Sequence, residues 1–140
     1  MAVKTYNARQ VTISCGTHAI TGVAADSFLT IEKLGDGVTS TTGCDGEVAR
    51  AVDPNGCYSV KLSLLQTSAS NAFLQAQHDN DKKTGDGVFP ILIKDLKGGL
   101  LFSADSAWVK KSTTRTFGKG LNNREWELET GEADLTEGTY

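Results

Sequence analysis

The most regular stretch of this sequence is Tyr58-Ser59-Val60-Lys61-Leu62-Ser63-Leu64, in which apolar and polar side chains alternate at every step. Neighbouring side chains of a β-strand point to opposite faces, so the alternation predicts a strand with one buried and one solvated face. Shorter alternating segments, separated by glycine-containing turns, recur along most of the chain. We therefore predict a mainly β protein.

Turn residues suggest how the strands are joined. Gly16-Thr17, Asp45-Gly46 and Lys97-Gly98-Gly99 suit hairpin turns, and Pro54-Asn55-Gly56 combines a fixed φ with a residue that tolerates the left-handed region. The predicted strand pairs are 11–15 with 19–23, 38–42 with 47–52, 47–52 with 58–64, and 89–96 with 100–109. Five or more antiparallel strands at this spacing predict a sandwich or a barrel-forming protomer.

One segment departs from the alternating pattern. Ser70 can cap a helix that presents Phe73, Ala76 and Gln77 on one side and ends between Asp79 and Gly85. The predicted fold is therefore an antiparallel β-sandwich or barrel-forming protomer with one flanking α-helix. We expect a single domain over residues 1–140, with a flexible C-terminal tail over residues 130–140.

Composition argues against several classes of protein. The chain has 140 residues, 39% of them hydrophobic, and a net charge of −3 without a cluster of basic residues. Affinity for a DNA duplex depends on clustered Lys and Arg, so specific DNA binding is not expected. No apolar run is long enough to cross a bilayer, and no signal peptide is evident at the N-terminus. We expect no membrane contact and folding in a cytoplasm-like compartment.

Residues suited to metal binding are poorly spaced. Cys15, Cys44 and Cys57 are odd in number and irregularly placed, which favours free thiols over a disulfide framework. Neither these residues nor His18 and His78 form the paired short spacing of a zinc site. A calcium loop starting at residue 79 would need an oxygen ligand at residue 83 and glycine at residue 84, where the chain has lysine and threonine. We expect no metal site and no cofactor.

The sequence also offers no convincing catalytic group. Nucleophilic catalysis requires a base that is oriented toward the nucleophile, and the two histidines are more simply interpreted as exposed surface residues. The glycines occur at turns and not in a phosphate-binding loop. We assign no catalytic residue and predict that the chain is not an enzyme.

A row of carboxylates is the most distinctive charged feature. In the segment 124–129, Trp126 and Leu128 share one strand face, and Glu125, Glu127 and Glu129 share the other. Such a row faces either water, as an ordinary solvated strand, or a partner, as an acidic wall or docking face. Both interpretations stay open from the sequence.

Several blocks of sequence occur in an informative order. They are Asp45-Gly46-Glu47-Val48, Leu64-Leu65-Gln66-Thr67-Ser68 with Ser70-Asn71, Gly87-Val88-Phe89-Pro90, Lys94-Asp95-Leu96 and Asn123-Arg124-Glu125-Trp126. In this order, they resemble a family of tail tube proteins from phages with long contractile tails. The resemblance extends from about the first strand to Leu128, and several ordered blocks are more specific than any single one.

The resemblance implies a structural virion protein with no catalytic role. Six protomers would form a ring, and rings would stack helically into a hollow tube inside a contractile sheath. The implied partners are further copies of this chain, the tail sheath, baseplate, tape measure and tail terminator proteins, and genomic DNA that passes during ejection without specific binding. Assembly would occur in the host cytoplasm.

Candidate assembly residues follow from the strand pattern and this implied role. Thr30, Glu32 and Glu47 are candidate lumen-facing residues, because an acidic wall would repel phosphates and let DNA slide. The candidate inter-ring loop consists of Leu34, Gly35, Asp36 and Gly37, for which an ordinary hairpin loop is the alternative. Glu125, Glu127 and Glu129 are the candidate acidic docking or lumen face.

Two other functions stay open. A tube protein of a phage-derived contractile injection system, such as a bacteriocin or a type VI secretion tube, would share this architecture without carrying a genome. A soluble β-sandwich binding module would need exposed aromatic side chains. Trp108 and Trp126 both lie on apolar alternating faces, which favours core packing over ligand stacking.

Overall fold

The computed structural model describes residues 3–140 and is dominated by antiparallel strands. The elements are a 3₁₀ turn at Ala8–Gln10, β1 (Val11–Cys15), β2 (His18–Ala19), β3 (Leu29–Lys33), β4 (Val38–Thr42), β5 (Val48–Val52), β6 (Cys57–Leu64), α1 (Ser70–Thr84), β7 (Phe89–Asp95), β8 (Leu101–Lys111) and β9 (Arg124–Thr136). The predicted mainly β class with one flanking helix is confirmed.

Seven strands form one curled antiparallel sheet in the order β2-β1-β7-β8-β9-β6-β3. The segment that follows β2 returns toward β6, where Val23 bridges Leu64 and the Ala24 N–H donates to the Ser63 carbonyl at 2.8 Å. This return brings the two ends of the sheet toward each other. Strands β4 and β5 form a separate two-stranded hairpin.

The core lies on one face of the curled sheet, under α1. Alternation in β6 buries Val60, Leu62 and Leu64 completely, as the sequence predicted. Leu74 of α1 is also fully buried. The helix packs on the sheet at β8, and the Phe73 ring stacks on His18 with 4.4 Å between ring centroids. The helix therefore covers the apolar face that the alternating strands create.

The predicted pairing of 47–52 with 58–64 is wrong. Strand β5 pairs only with β4, and β6 lies between β3 and β9. Two consecutive side-chain turns carry the chain forward between β5 and β6: Asp53 Oδ1 accepts from the Asn55 N–H at 3.0 Å, and Asn55 Oδ1 accepts from the Cys57 N–H at 3.0 Å. Pro54-Asn55-Gly56 forms a turn, as predicted, but this turn does not close a hairpin. The apolar face of β6 is buried within the main sheet instead.

The start and buried face of the helix also differ from the prediction. Ala69 occupies the N-cap position without a side-chain hydrogen bond, and Ser70 is the first helical residue. Ser70 Oγ instead accepts from the Thr21 N–H at 3.0 Å and lies 2.9 Å from His18 Nε2. Leu74 is the buried apolar residue, whereas Ala76 is exposed. The predicted stop at Gly85 is confirmed by its left-handed φ of 75°.

Part of the segment 130–140, which was expected to be a flexible tail, lies in a strand. Strand β9 continues to Thr136, and its last residues pair with the start of β8. Beyond the strand, Gly138 packs on the turn at Gly98-Gly99, and the Tyr140 hydroxyl donates to Asp95 Oδ2 at 2.5 Å. Backbone pairing with β8 and the Tyr140–Asp95 hydrogen bond attach this C-terminal segment to the sheet. The polar sequence of the segment did not predict these contacts.

The contact between Tyr140 and Asp95 predicts a dependence of stability on alkaline pH. The hydrogen bond to the Asp95 carboxylate is the main cause that raises the pKa of Tyr140 to about 12. An unfolded tyrosine has a pKa of about 10. The stabilisation is therefore complete below pH ~10 and is lost as pH rises toward 12. We expect the unfolding temperature of the wild type to fall more steeply across this range than that of Tyr140→Phe.

Thermal unfolding at several pH values, followed by circular dichroism, would measure this difference. Tyr6→Phe is a suitable control, because the Tyr6 ring packs edge-on against Tyr140 with centroids 6.3 Å apart but does not bind Asp95. Parallel pH profiles for the wild type and Tyr140→Phe would contradict the proposed contribution of the contact.

Candidate functional site

The face of the sheet opposite the core is polar and carries half of the predicted site residues. Strands β3, β6 and β9 are adjacent, and their registers align Thr30 with Lys61 and Glu127, and Glu32 with Ser59 and Glu129. We call this surface the polar face; its members are Thr30, Glu32, Lys61, Lys110, Glu125, Glu127 and Glu129. Ser59 lies between Glu32 and Glu129 in the register but is buried. The sequence treated Thr30 and Glu32 apart from the Glu125 row, and the structure brings them together across β6.

One lysine side chain, Lys110, partly neutralises the carboxylates of the polar face. Lys110 Nζ lies 3.2 Å from Glu129 Oε1 and 3.6 Å from Glu127 Oε1. The hydrogen bond with Glu129, followed by the charge of Glu127, raises the pKa of Lys110. A register shift between Val109 and Lys111 places Lys110 beside Glu127 and Glu129. Strand periodicity alone could not predict this shift. The row is therefore an acidic face with one paired lysine and not a bare wall of carboxylates.

Glu47 lies apart from the polar face. It immediately precedes β5 at the tip of the β4–β5 hairpin, where its N–H donates to Asp45 Oδ1 at 3.1 Å and its carbonyl accepts from the Gly43 N–H at 2.7 Å. Its side chain is exposed and makes no hydrogen bond or ion pair within residues 3–140. The structure thus separates Glu47 from Thr30 and Glu32, with which the sequence had grouped it.

The hairpin that carries Glu47 is exposed along its whole length. Every residue of β4 and β5 is exposed, including Val38, Val48 and Val52 at 54%, 60% and 70%. An isolated two-stranded hairpin is marginally stable in water, and exposed valines add apolar surface that favours contact. This element has the character of an interaction arm.

The segment Leu34–Gly37 forms the base of this arm. The Leu34 N–H donates to the Cys57 carbonyl at 3.0 Å, and the Asp36 N–H donates to Asp53 Oδ2 at 2.8 Å. The same bond from Asp36 is the main cause that lowers the pKa of Asp53. The candidate inter-ring loop thus forms an anchored connection to the exposed β4–β5 hairpin.

Strand β3 leaves one backbone edge free within the described chain. The Ser63 N–H donates to the Phe28 carbonyl at 2.9 Å, and the Leu34 N–H donates to Cys57. In the register between these bonds, even-numbered residues of β3 bond to β6, and Leu29, Ile31 and Lys33 direct their backbone groups outward. The other end of the sheet is β2, which has only two residues. The outward edge of β3 is therefore available for pairing.

The histidines and cysteines of the described chain are not gathered at one site. Within residues 3–140, His, Cys, Asp and Glu side chains form no cluster of three or more suited to a metal ion. His18 and His78 are partly buried and not exposed as expected: His18 contacts Ser70, and His78 Nδ1 lies 3.3 Å from the Val109 carbonyl. Burial raises the pKa of the Cys15 thiol to about 12, which keeps it protonated and unreactive.

The length and polarity of a helix decide whether it can span a membrane. Across residues 3–140, no helix combines the length and apolar character needed to cross a bilayer.

Comparisons with known proteins agree with one another. A family model described as bacteriophage PhiTE tail tube protein matches residues 4–138. Structural protein ORF10 of Pseudomonas phage KPP10 is 33% identical over 132 residues, which cover 89% of this chain and 76% of that protein. The family match extends past Leu128, where the sequence blocks end, and includes all of β9.

Two solved structures share the fold. The anti-feeding prophage tube terminating cap aligns with a TM-score of 0.66 at 9% identity, over 99% of this chain and 95% of that one. The extracellular contractile injection system PVC sheath–tube complex in the extended state aligns with a TM-score of 0.64 at 9% identity, over 95% and 92%. At this identity, the comparison establishes a common fold.

Proposed function

Since this chain belongs to the family of the bacteriophage PhiTE tail tube protein, we propose that it polymerises as stacked hexameric rings into the hollow tail tube of a contractile-tailed phage. The match to that family over residues 4–138 carries the proposal. Membership of a structural family also supports the expectation that the chain is not an enzyme. The edges, polar face and hairpin of the protomer give each step of assembly a physical basis.

Ring closure would use the free edges of the sheet. An unpaired edge strand exposes backbone donors and acceptors that another chain can satisfy. The outward groups of Leu29, Ile31 and Lys33 would pair with the opposite end of the sheet in the next copy. Contacts of this head-to-tail kind close into a ring when the rotation between copies permits it.

The polar face would line the lumen. Thr30 and Glu32, together with Glu125, Glu127 and Glu129, would present an acidic surface to passing DNA. Six copies of a chain with a net charge of −3 carry about −18 per ring, which disfavours adhesion of phosphates. The pairing of Lys110 with two of these carboxylates would moderate the charge. The lumen would thus let DNA pass during ejection without binding it specifically.

Stacking of rings would use the hairpin arm. Residues Leu34–Gly37 fix its base, and the exposed strands β4 and β5 would contact the adjacent ring. The outer surface of the tube would contact the sheath, and the tube ends would meet baseplate, tape measure and terminator proteins. The protein would be assembled in the host cytoplasm and reside in the virion tail.

The two alternative functions receive unequal support. A tube in a phage-derived injection system shares the fold, so the fold does not separate it from a phage tail, whereas the family model and the KPP10 relative both come from phages. A binding module based on aromatic stacking is disfavoured. Trp126 is 1% exposed within the core, and Trp108 is half-buried on the opposite side of the sheet. The two rings therefore form no common platform.

Negative-stain electron microscopy of the purified protein at high concentration tests the proposal. We expect hollow tubes or rings, because open head-to-tail contacts and exposed arms favour assembly. Uniform monomers that persist with crowding agents and with added virion-like nucleators would contradict it. A persistently monomeric protein that bound glycans would favour the binding module.

A further inference from the structure

Arg124 is a buried cation whose charge is not paired within residues 3–140. It is 8% exposed, and its Nε is buried without a hydrogen-bond partner. The ion pairs within residues 3–140 both involve Lys110 and not Arg124. A buried charge without a counter-ion is destabilising, and native proteins seldom retain one without a reason. The Nε donor of Arg124 is therefore left for a partner from outside the described chain.

The surroundings of Arg124 indicate the chemistry of that partner. The Phe117 ring lies over the guanidinium, with 5.3 Å from Cζ to the ring centroid. Stacking on a ring occupies one face of the guanidinium but satisfies none of its in-plane N–H donors. Phe117 and Leu121 are 74% and 68% exposed, so the loop beside Arg124 also presents unpartnered apolar surface. A carboxylate flanked by apolar side chains fits this site best, because guanidinium and carboxylate groups form paired hydrogen bonds.

The hairpin tip carries a group of this kind. Glu47 has an exposed carboxylate without an internal partner, and Val48 beside it is 60% exposed. Each hairpin strand has five residues and spans about 17 Å, so the tip extends well beyond the main sheet. The two surfaces are complementary in charge and in apolar character.

The hairpin tip and Arg124 belong to opposite ends of the protomer, so they do not meet within one chain. Their positions suit contact between copies that stack head to tail. The base of the arm joins β6 at Cys57, through the bond from the Leu34 N–H. Arg124 pairs with Leu64, at the other end of β6. An eight-residue strand separates these positions by about 23 Å. A translation of one copy along β6 would bring the arm of one ring to the Arg124 end of the next.

We infer that Arg124, together with Phe117, forms a receptor for Glu47 at the hairpin tip of a second copy in the adjacent ring. This inference rests on the proposed function, because it assumes stacked rings. It assigns a specific ion pair to ring stacking and gives Arg124 a role that its position in the protomer core does not explain. Glu47 then acts as a contact residue between rings and not as part of the lumen.

Thiol cross-linking tests the contact with the fold left intact. Cys44 is exposed at the hairpin tip, near Glu47, and provides one natural thiol. Asn123→Cys supplies the second thiol at an exposed position next to Arg124, outside the proposed receptor. Treatment of assembled Asn123→Cys protein with a short bis-maleimide is expected to give a ladder of multimers on denaturing gels, because each copy carries both thiols. The wild type and the double variant Asn123→Cys/Cys44→Ser are expected to give no ladder.

A charge reversal provides an independent test. Glu47→Arg is expected to raise the protein concentration required for tube formation at least tenfold, while Asp26→Arg, an equal charge change at another exposed position, leaves it within about twofold. Tubes without a ladder, or Glu47→Arg tubes at the wild-type concentration, would overturn the inference and leave the proposed function standing. Failure of the wild type to assemble would overturn both.

Discussion

Replacement of Trp126 by alanine is expected to lower the free energy of unfolding of the protomer by about 3–5 kcal/mol, as large-to-small changes at buried aromatic residues do. Trp126 is 1% exposed, and its Nε1 donates to Asn71 Oδ1 at 2.9 Å. The Arg115 guanidinium lies over its ring, 6.0 Å from the centroid. The side chain thus joins β9 to α1 and to the loop after β8, and its removal leaves a cavity and an unpaired Asn71 Oδ1.

Trp108→Ala is the matched control for this prediction. Trp108 is half-buried, and its neighbours Ala107 and Val109 point to the core in its place. Its removal is expected to cost roughly 1 kcal/mol. Denaturant unfolding of dilute protein, followed by far-ultraviolet circular dichroism, would measure both changes independently of tryptophan fluorescence. Equal losses of stability in the two variants would contradict the assigned position of Trp126 at the centre of the fold.

Substitution of Lys33 by proline is expected to weaken tube assembly strongly while the protomer stays folded. The Lys33 N–H belongs to the free edge of β3, whereas the neighbouring Leu34 N–H bonds to Cys57. Proline is tolerated on an edge strand but removes the donor that an incoming strand requires. The lost bond and the partner carbonyl left unpaired together weaken each contact between protomers by about 1–3 kcal/mol. Every contact around the ring would carry this loss.

The assembly defect would be measured as the concentration at which tubes sediment and appear by electron microscopy. We expect an increase of at least tenfold for Lys33→Pro, since about 1.4 kcal/mol corresponds to a factor of ten. Lys33→Ala removes the same side chain but retains the N–H, and is expected to assemble like the wild type. An equal defect in both variants would assign the effect to the lysine charge. Tubes of Lys33→Pro at wild-type concentration would exclude this edge from the ring contact.

Local patterns predicted the individual elements well. The strand 58–64 lies within β6, the turns at Asp45-Gly46 and Gly98-Gly99 connect the expected strands, and Gly85 ends the helix. These features depend on period-two burial and on backbone conformations that glycine favours. Both are properties of short segments, which a single sequence displays directly.

Strand neighbours could not be predicted in the same way. The sequence paired 47–52 with 58–64 because they are adjacent along the chain, but β6 buries its apolar face between β3 and β9. Burial across the whole sheet decides this choice, and the exposed alanines and valines of β5 could not compete for the core position. Adjacency in sequence therefore predicts strand pairing poorly when one of the strands is apolar enough to lie in the middle of the sheet.

The composition of the candidate site depended on the same long-range register. The shared face of Glu125, Glu127 and Glu129 follows from alternation and was predicted. The placement of Thr30 and Glu32 on that face, and of Glu47 away from it, follows from strand order. Arg124 was visible only as part of a sequence block, since its burial and lack of a counter-ion are properties of the folded protomer.

Helical reconstruction of the assembled tube by cryo-electron microscopy tests the central claim most directly. The predicted result is a hollow tube of rings with six copies each, in which β3 of one protomer pairs with the next and Glu125, Glu127 and Glu129 face the lumen. A tube with the polar face on its outer surface, or an assembly without closed rings of six, would contradict the account.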